Sequence, residues 1–156
     1  MKKVLLSLIV LFVFSISVFA VVKTKRIAYL SEPSKIEKKL EKCLDKAVTS
    51  ADMFNCTCRA DEDFEDSVKV LYPKLLKKLE KKEADQLAKS QTAWENFVKE
   101  NSEFHMAMND RYNIPEVPRL SFRHSLVEMR KTRAYELSGL LFDIDDIKMN
   151  QEYYDE

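Results

Sequence analysis

Residues 49–79 read TSADMFNCTCRADEDFEDSVKVLYPKLLKKL, and their spacing decides the fold. Met53, Cys56, Ala60, Phe64, Val68, Leu71, Leu75 and Leu79 recur every three or four positions. That period sets them along one stripe of an α-helix and turns the charges between them outwards. Thr49 fits the N-cap, and Asp52 fits the third helical position, where a carboxylate can return a bond to the cap. The spacing predicts one amphipathic helix over 50–81. Pro73 lies inside it and removes the bond to the carbonyl of Lys69. A kink is expected there rather than an end, because the apolar period continues past it.

The same period recurs on both sides. Ile36, Leu40, Cys43, Leu44 and Ala47 predict a first helix from Ser34, with Glu37 as its capping-box partner. Leu87, Gln91, Trp94, Phe97, Val98, Asn101, Phe104 and Met108 predict a helix over 84–109. Leu120, Arg123, Leu126, Val127, Arg130, Ala134, Leu137 and Leu141 predict a last helix over 119–141. Residues 110–118 hold Pro115 and Pro118 and read as a loop, and 143–156 read as a frayed acidic tail. Gly139 is the single glycine, which leaves almost no material for hairpin turns or phosphate-cradling loops. The expected fold is all-α: an antiparallel bundle of about four helices. In it 50–109 form a long hairpin, and the first and last helices pack on that hairpin.

Lys2 and Lys3 precede a mainly apolar run from Val4 to Ala20 that ends Val18-Phe19-Ala20. This order of charge, apolar core and small residue marks 1–20 as a secretory signal, and 21–33 as a flexible lead-in to a domain over 34–142. A periplasmic or secreted protein follows, with membrane attachment only if the segment is retained as an anchor. Removing it takes away two lysines and no acid, which leaves two more acids than bases. General nucleic-acid binding, which needs a basic face, is excluded.

The residues that carry chemistry elsewhere are scattered here. Cys56-x-Cys58 is too tight for an ordinary zinc site, and only His105 and His124 could assist, so no metal or other cofactor is expected. The two histidines lie on different predicted helices with no nucleophile at a defined spacing, and no enzyme is expected. Asp61, Glu62, Asp63, Glu65 and Asp66 are five carboxylates in six residues. A contiguous run cannot provide the fixed separation across a cleft that a glycosidase needs. It can steer a cationic partner, or it can be a solvated helix face. Lys74, Lys77, Lys78, Lys81 and Lys82 read as a second solvated face.

Cys43 and Cys56 flank the Val48-Thr49 break, so a bond between them would staple two helix ends and contribute about 3 kcal/mol. Cys56 is favoured over Cys58 because it lies on the apolar stripe, whereas Cys58 sits about 200° around the helix from it. Cys58, and three free thiols, remain as alternatives.

The stretch from Cys43 to Phe104 resembles the LprI-like lysozyme inhibitor domain of bacterial envelope proteins. The resemblance rests on Cys43, Thr49, Met53 and Cys56 around the break, then Glu65, Val68-Lys69 and Tyr72. It continues in the Gln-x-x-Trp-x-x-aromatic motif as Gln91, Trp94 and Phe97, and in Arg133, Glu136 and Leu137 of the last helix. The chain departs from the pattern at Lys69, Val98 and Ser102, where the family tends to have Asn, Arg and a second-disulfide Cys. These positions imply a helical fold. Trp94 is expected in the core, and Gln91 is expected to bond to neighbouring backbone or to Arg133. They also imply a binding protein that blocks a peptidoglycan-cleaving lysozyme, through Asp61–Asp66 or through 110–118. A structural or chaperone-like envelope protein that binds an endogenous partner is the alternative.

Overall fold

The computed structural model describes residues 31–155, and all regular structure among them is helical. The segment 1–20, expected to be a secretory signal, and the expected lead-in as far as residue 30 lie outside the described residues. Helix α1 covers 31–44, α2 Ser50–Leu76, α3 Lys81–Tyr112 and α4 Glu116–Asp155.

Helix α1 already covers 31–33, with Pro33 buried, so the end of the expected lead-in is part of the helix. Ser34 is therefore not its cap, and Glu37 reaches across to α4 instead. The cap expected at Thr49 does form. Its hydroxyl accepts from the Asp52 amide at 3.1 Å, and the Asp52 carboxylate accepts from the Thr49 amide at 2.9 Å. The Thr49 hydroxyl also donates to the Asp52 carboxylate at 2.8 Å, and it, followed by the Thr49 and Val48 amides, holds that carboxyl below its usual range.

Helix α2 ends at Leu76, five residues earlier than the period suggested. Pro73 has removed a donor, and the chain leaves through a tighter turn: the amides of Lys78 and Leu79 bond to the carbonyls of Leu75 and Leu76 at 3.0 and 3.4 Å. That turn keeps Leu79 packed on the core, which is why the apolar period outlasts the helix. The loop expected over 110–118 shrinks to 113–115. Asn113 adopts the left-handed conformation (φ 44°, ψ 54°) that ends a helix abruptly and that asparagine tolerates. Pro118 falls in the first turn of α4, where an amide is not needed. The residues read as a frayed tail continue α4 to Asp155.

Cross-helix pairs fix the directions. Cys43 with Cys56 and Lys39 with Asp63 make α1 antiparallel to α2. Gln91 with Arg133 and His105 with Phe122 make α3 antiparallel to α4. Asp61 with Arg130 and Lys78 with Asp145 advance together, so α2 and α4 are parallel. The order is up, down, up, down, yet the closest packing is not within the sequential α2–α3 hairpin. It is α2 against α4. Ala60, Phe64, Val68, Leu71 and Leu75 pack there with Val127, Ala134, Leu137 and Leu141. Helix α3 loses that competition because polar Gln91 and Asn101 interrupt its stripe. Of its 32 residues only Gln91 and Val98 are buried. Met53, expected on the buried stripe, is 38% exposed, while its neighbour Phe54 lies under the Arg123 guanidinium of α4 at 5.6 Å.

Leu137 is fully buried and Leu140, on the same helix, is 38% exposed. Leu137→Ala should lower the free energy of unfolding by about 2–5 kcal/mol and Leu140→Ala by about 1 kcal/mol or less, read from urea midpoints. Replacing Cys43 and Cys56 together by serine should cost about 3 kcal/mol in the same measurement.

Candidate partner-binding site

The disulfide joins Cys43 at the end of α1 to Cys56 in the second turn of α2, with a Cα–Cα distance of 5.7 Å. It is the pairing that the apolar stripe favoured. Cys58 is the free cysteine among the described residues and is half-buried. Burial pushes its thiol up, Asp61 and Glu62 add to this, and Arg123 opposes it. The group therefore stays a weakly reactive thiol.

The acidic run does not form one surface. Asp61 is buried and clamped between two arginines of α4: Arg130, and Arg123 at 3.4 Å. Asp63 bonds to Lys39 of α1 at 2.6 Å. Glu65 pairs with Lys69 at 2.7 Å and with Arg130 at 3.2 Å, and Asp66 approaches Lys69 at 3.4 Å. Glu62 alone of the five has no ion pair among the described residues. Helical geometry explains the split: successive residues step by about 100°, so a contiguous run must face several ways. The basic stretch is divided likewise, with Lys78 paired to Asp145 and Lys81 to Asp85 at 3.2 Å.

The family-like motif divides between interior and surface. Arg133 is 5% exposed. Its Nε donates to Gln91 Oε1 at 3.0 Å, its Nη1 donates to Glu136 at 2.8 Å, and its guanidinium lies 6.0 Å from the centre of the half-buried Trp94 ring. Gln91 in turn donates to Glu95 at 2.9 Å. This node ties α3 to α4, as expected for Gln91. Arg133 Nη2 is buried without a hydrogen-bond partner among the described residues, and the Trp94 ring offsets part of that cost. Tyr72 packs half-buried against the core. Phe97 behaves differently from the rest: it is 58% exposed.

The departures fall where they can be absorbed. Val98 is buried, and Ser102 lies beside it on an open groove of about 450 Å³ between α2 and α3. Val68, Trp94 and Met106 also line that groove, together with the charged Glu65, Lys99 and Arg130. Lys69, exposed, serves Glu65 and Asp66. His105 stacks on Phe122 at 3.7 Å, and His124 lies 4.0 Å from Glu128. No three His, Cys, Asp or Glu side chains converge as a metal site among the described residues.

One polar cluster escaped the sequence reading. Glu37 of α1 accepts from Lys131 at 2.8 Å and from the Tyr135 hydroxyl at 2.5 Å, both on α4. The sole signal was Glu37 itself, which a local cap explained equally well. The Lys131 and Tyr135 donors hold the Glu37 carboxyl low. Burial first, then the Glu37 carboxylate, pushes the Tyr135 hydroxyl up to about 12.

These features describe a disulfide-stapled helical bundle in which most motif residues hold helices together and one aromatic is left outside. The chain belongs to the family described as Lysozyme inhibitor LprI, whose family model matches residues 43–137, more than half of the chain. No match was found among curated proteins or among solved structures. No helix among the described residues is long and apolar enough to cross a membrane.

The folded state holds the Tyr135 proton more tightly than the unfolded chain, whose hydroxyl titrates near 10.0. This contribution to stability is complete below pH 10 and is lost as the pH rises towards 12. Lys131, also pushed up, chiefly by its bond to Glu37, acts in the same direction. Glu37 acts at the other end, its contribution being lost as the pH falls through its lowered value. Tyr135→Phe should therefore flatten the alkaline loss of stability between pH 10 and 12 and reduce, without abolishing, the acid limb, because Lys131 still holds Glu37 low, as followed by urea midpoints across pH.

Proposed function

We propose that the protein is exported, that residues 1–20 are removed on the way, and that the mature chain binds a lysozyme and blocks its cleft. Membership of the lysozyme inhibitor family over residues 43–137 is the observation that carries this reading. The staple at Cys43–Cys56 supports export, because disulfides persist in oxidising compartments. So does the charge, basic and then apolar, of residues 1–20.

Inhibition of this kind needs no chemistry from the chain. It needs a rigid body with a surface complementary to the enzyme, and lysozymes are strongly cationic. The mature chain has two more acids than bases, which favours encounter with such a partner. The run Asp61–Asp66, expected at first to supply that attraction, is mostly engaged within the bundle and offers Glu62 alone as an unpaired carboxylate among the described residues. The segment 110–118, the other candidate, projects only the three residues 113–115 between helices.

Purified residues 21–156 should slow cell-wall lysis by at least one class of lysozyme at micromolar concentration. The effect should weaken as salt rises from about 0.05 to 0.3 M, because exposed charges are screened beyond about 10 Å at 0.1 M. Undiminished lysis by every lysozyme class tested would overturn the reading.

A further inference from the structure

Helix α3 carries a second stripe that stays exposed among the described residues. Ala93, Phe97, Glu100, Phe104, Ala107 and Arg111 follow one another at spacings of four and three, and every one of them is exposed. That spacing places them on one face, as in the contact seam of paired helices. Phe97 is 58% and Phe104 57% exposed. They stand two turns apart, about 10 Å along the axis, with Glu100 between them. Large aromatics left outside in register mark a surface that is covered by a partner.

We propose that this face of α3 is the surface that docks onto lysozyme, with Phe97 and Phe104 as its apolar anchors and Glu100 as the carboxylate between them. The assignment rests on the lysozyme-binding reading above and names the surface that performs it.

Charge selects the occupant. Between Ala93 and Arg111 the exposed charges are Glu95, Lys99, Glu100, Glu103, Asp110 and Arg111, four acids against two bases, and Glu100 is the one that stands between the two phenylalanines while Arg111 lies at the far end of the stripe. Lys99 lies 3.7 Å from Glu103 and offsets it, and Glu95 accepts from Gln91. Glu100 and Asp110 have no ion pair among the described residues. A cationic partner supplies the missing counter-charge. A second copy of the chain does not: the antiparallel register that pairs both phenylalanines sets Glu100 against Glu100 of the copy, and burying two like charges opposes association.

The face is also well held. Behind it, Gln91 and Arg133 bind α3 to α4, and His105 stacks on Phe122. The anchors therefore project from a fixed helix rather than a loop, which limits the entropy lost on docking.

The test uses the mature protein, Phe97→Ala with Phe104→Ala, and Glu100→Lys, each compared by circular dichroism and urea midpoint. Both changes replace exposed side chains, so the folded state should persist. Lysozyme inhibition should weaken by about tenfold or more in the double variant. It should also weaken in Glu100→Lys, whose loss should fade at high salt. Wild-type inhibition that is retained in both variants would overturn this surface while leaving the inhibitor reading intact. No inhibition by the wild type would overturn both. Sedimentation showing a wild-type dimer that the double variant abolishes would assign the face to a second copy and overturn the proposal.

Discussion

Everything in this fold depends on the burial of one parallel seam. Ala60, Phe64, Val68, Leu71 and Leu75 of α2 meet Val127, Ala134, Leu137 and Leu141 of α4. The ion pairs that fix its register, Asp61 with Arg130 and Lys78 with Asp145, are separated by 69 and 67 residues of chain, so the seam costs a long loop closure before it gains anything. Apolar burial at roughly 25 cal/mol per Å² is the term large enough to offset that. Once the seam exists, the other helices have assigned places. Helix α1 is held by the disulfide and by the Glu37–Lys131–Tyr135 cluster. Helix α3 is held chiefly through the Gln91–Arg133 node and the His105–Phe122 stack.

The seam also explains why the acids at the start of α2 are not a free patch. Two parallel helices must bring like positions together along their length, and Asp61 lies one turn before Phe64, where α4 presents Arg123 and Arg130. Asp61 is buried there, and a carboxylate without those guanidiniums would carry a desolvation cost of several kcal/mol. The charge is consumed in holding α2 and α4 in register. What remains outside is the face of a helix that this seam does not need.

Helix existence and helix faces were legible in the sequence because they depend on local period. The stripe from Ala60 to Leu75 and the Thr49–Asp52 cap appear as read. The Cys43–Cys56 bond could be preferred because a residue on an apolar stripe and one 200° away cannot face the same partner. The pairing of helices was not legible. Periodicity states which face is apolar and not which other face it meets, so adjacency in sequence suggested α2 with α3. The polar interruptions at Gln91 and Asn101 were the clue that α3 would be the weaker partner. Boundaries failed where backbone detail decided them: the turn after Pro73 and the left-handed Asn113. Phe97 was read with the motif's structural residues, because its spacing from Trp94 cannot tell a core position from one at the rim of the same helix.

The bundle built on α2 and α4 and the partner surface proposed on α3 can be tested together. The most direct measurement is amide hydrogen exchange on residues 21–156, free and mixed with a lysozyme. The account predicts slowed exchange over residues 93–111 of α3 in the complex, with the α2–α4 seam, already the most protected part of the free protein, unchanged. Protection confined to residues 61–66 or to 113–115, with α3 exchanging as in the free protein, would contradict it.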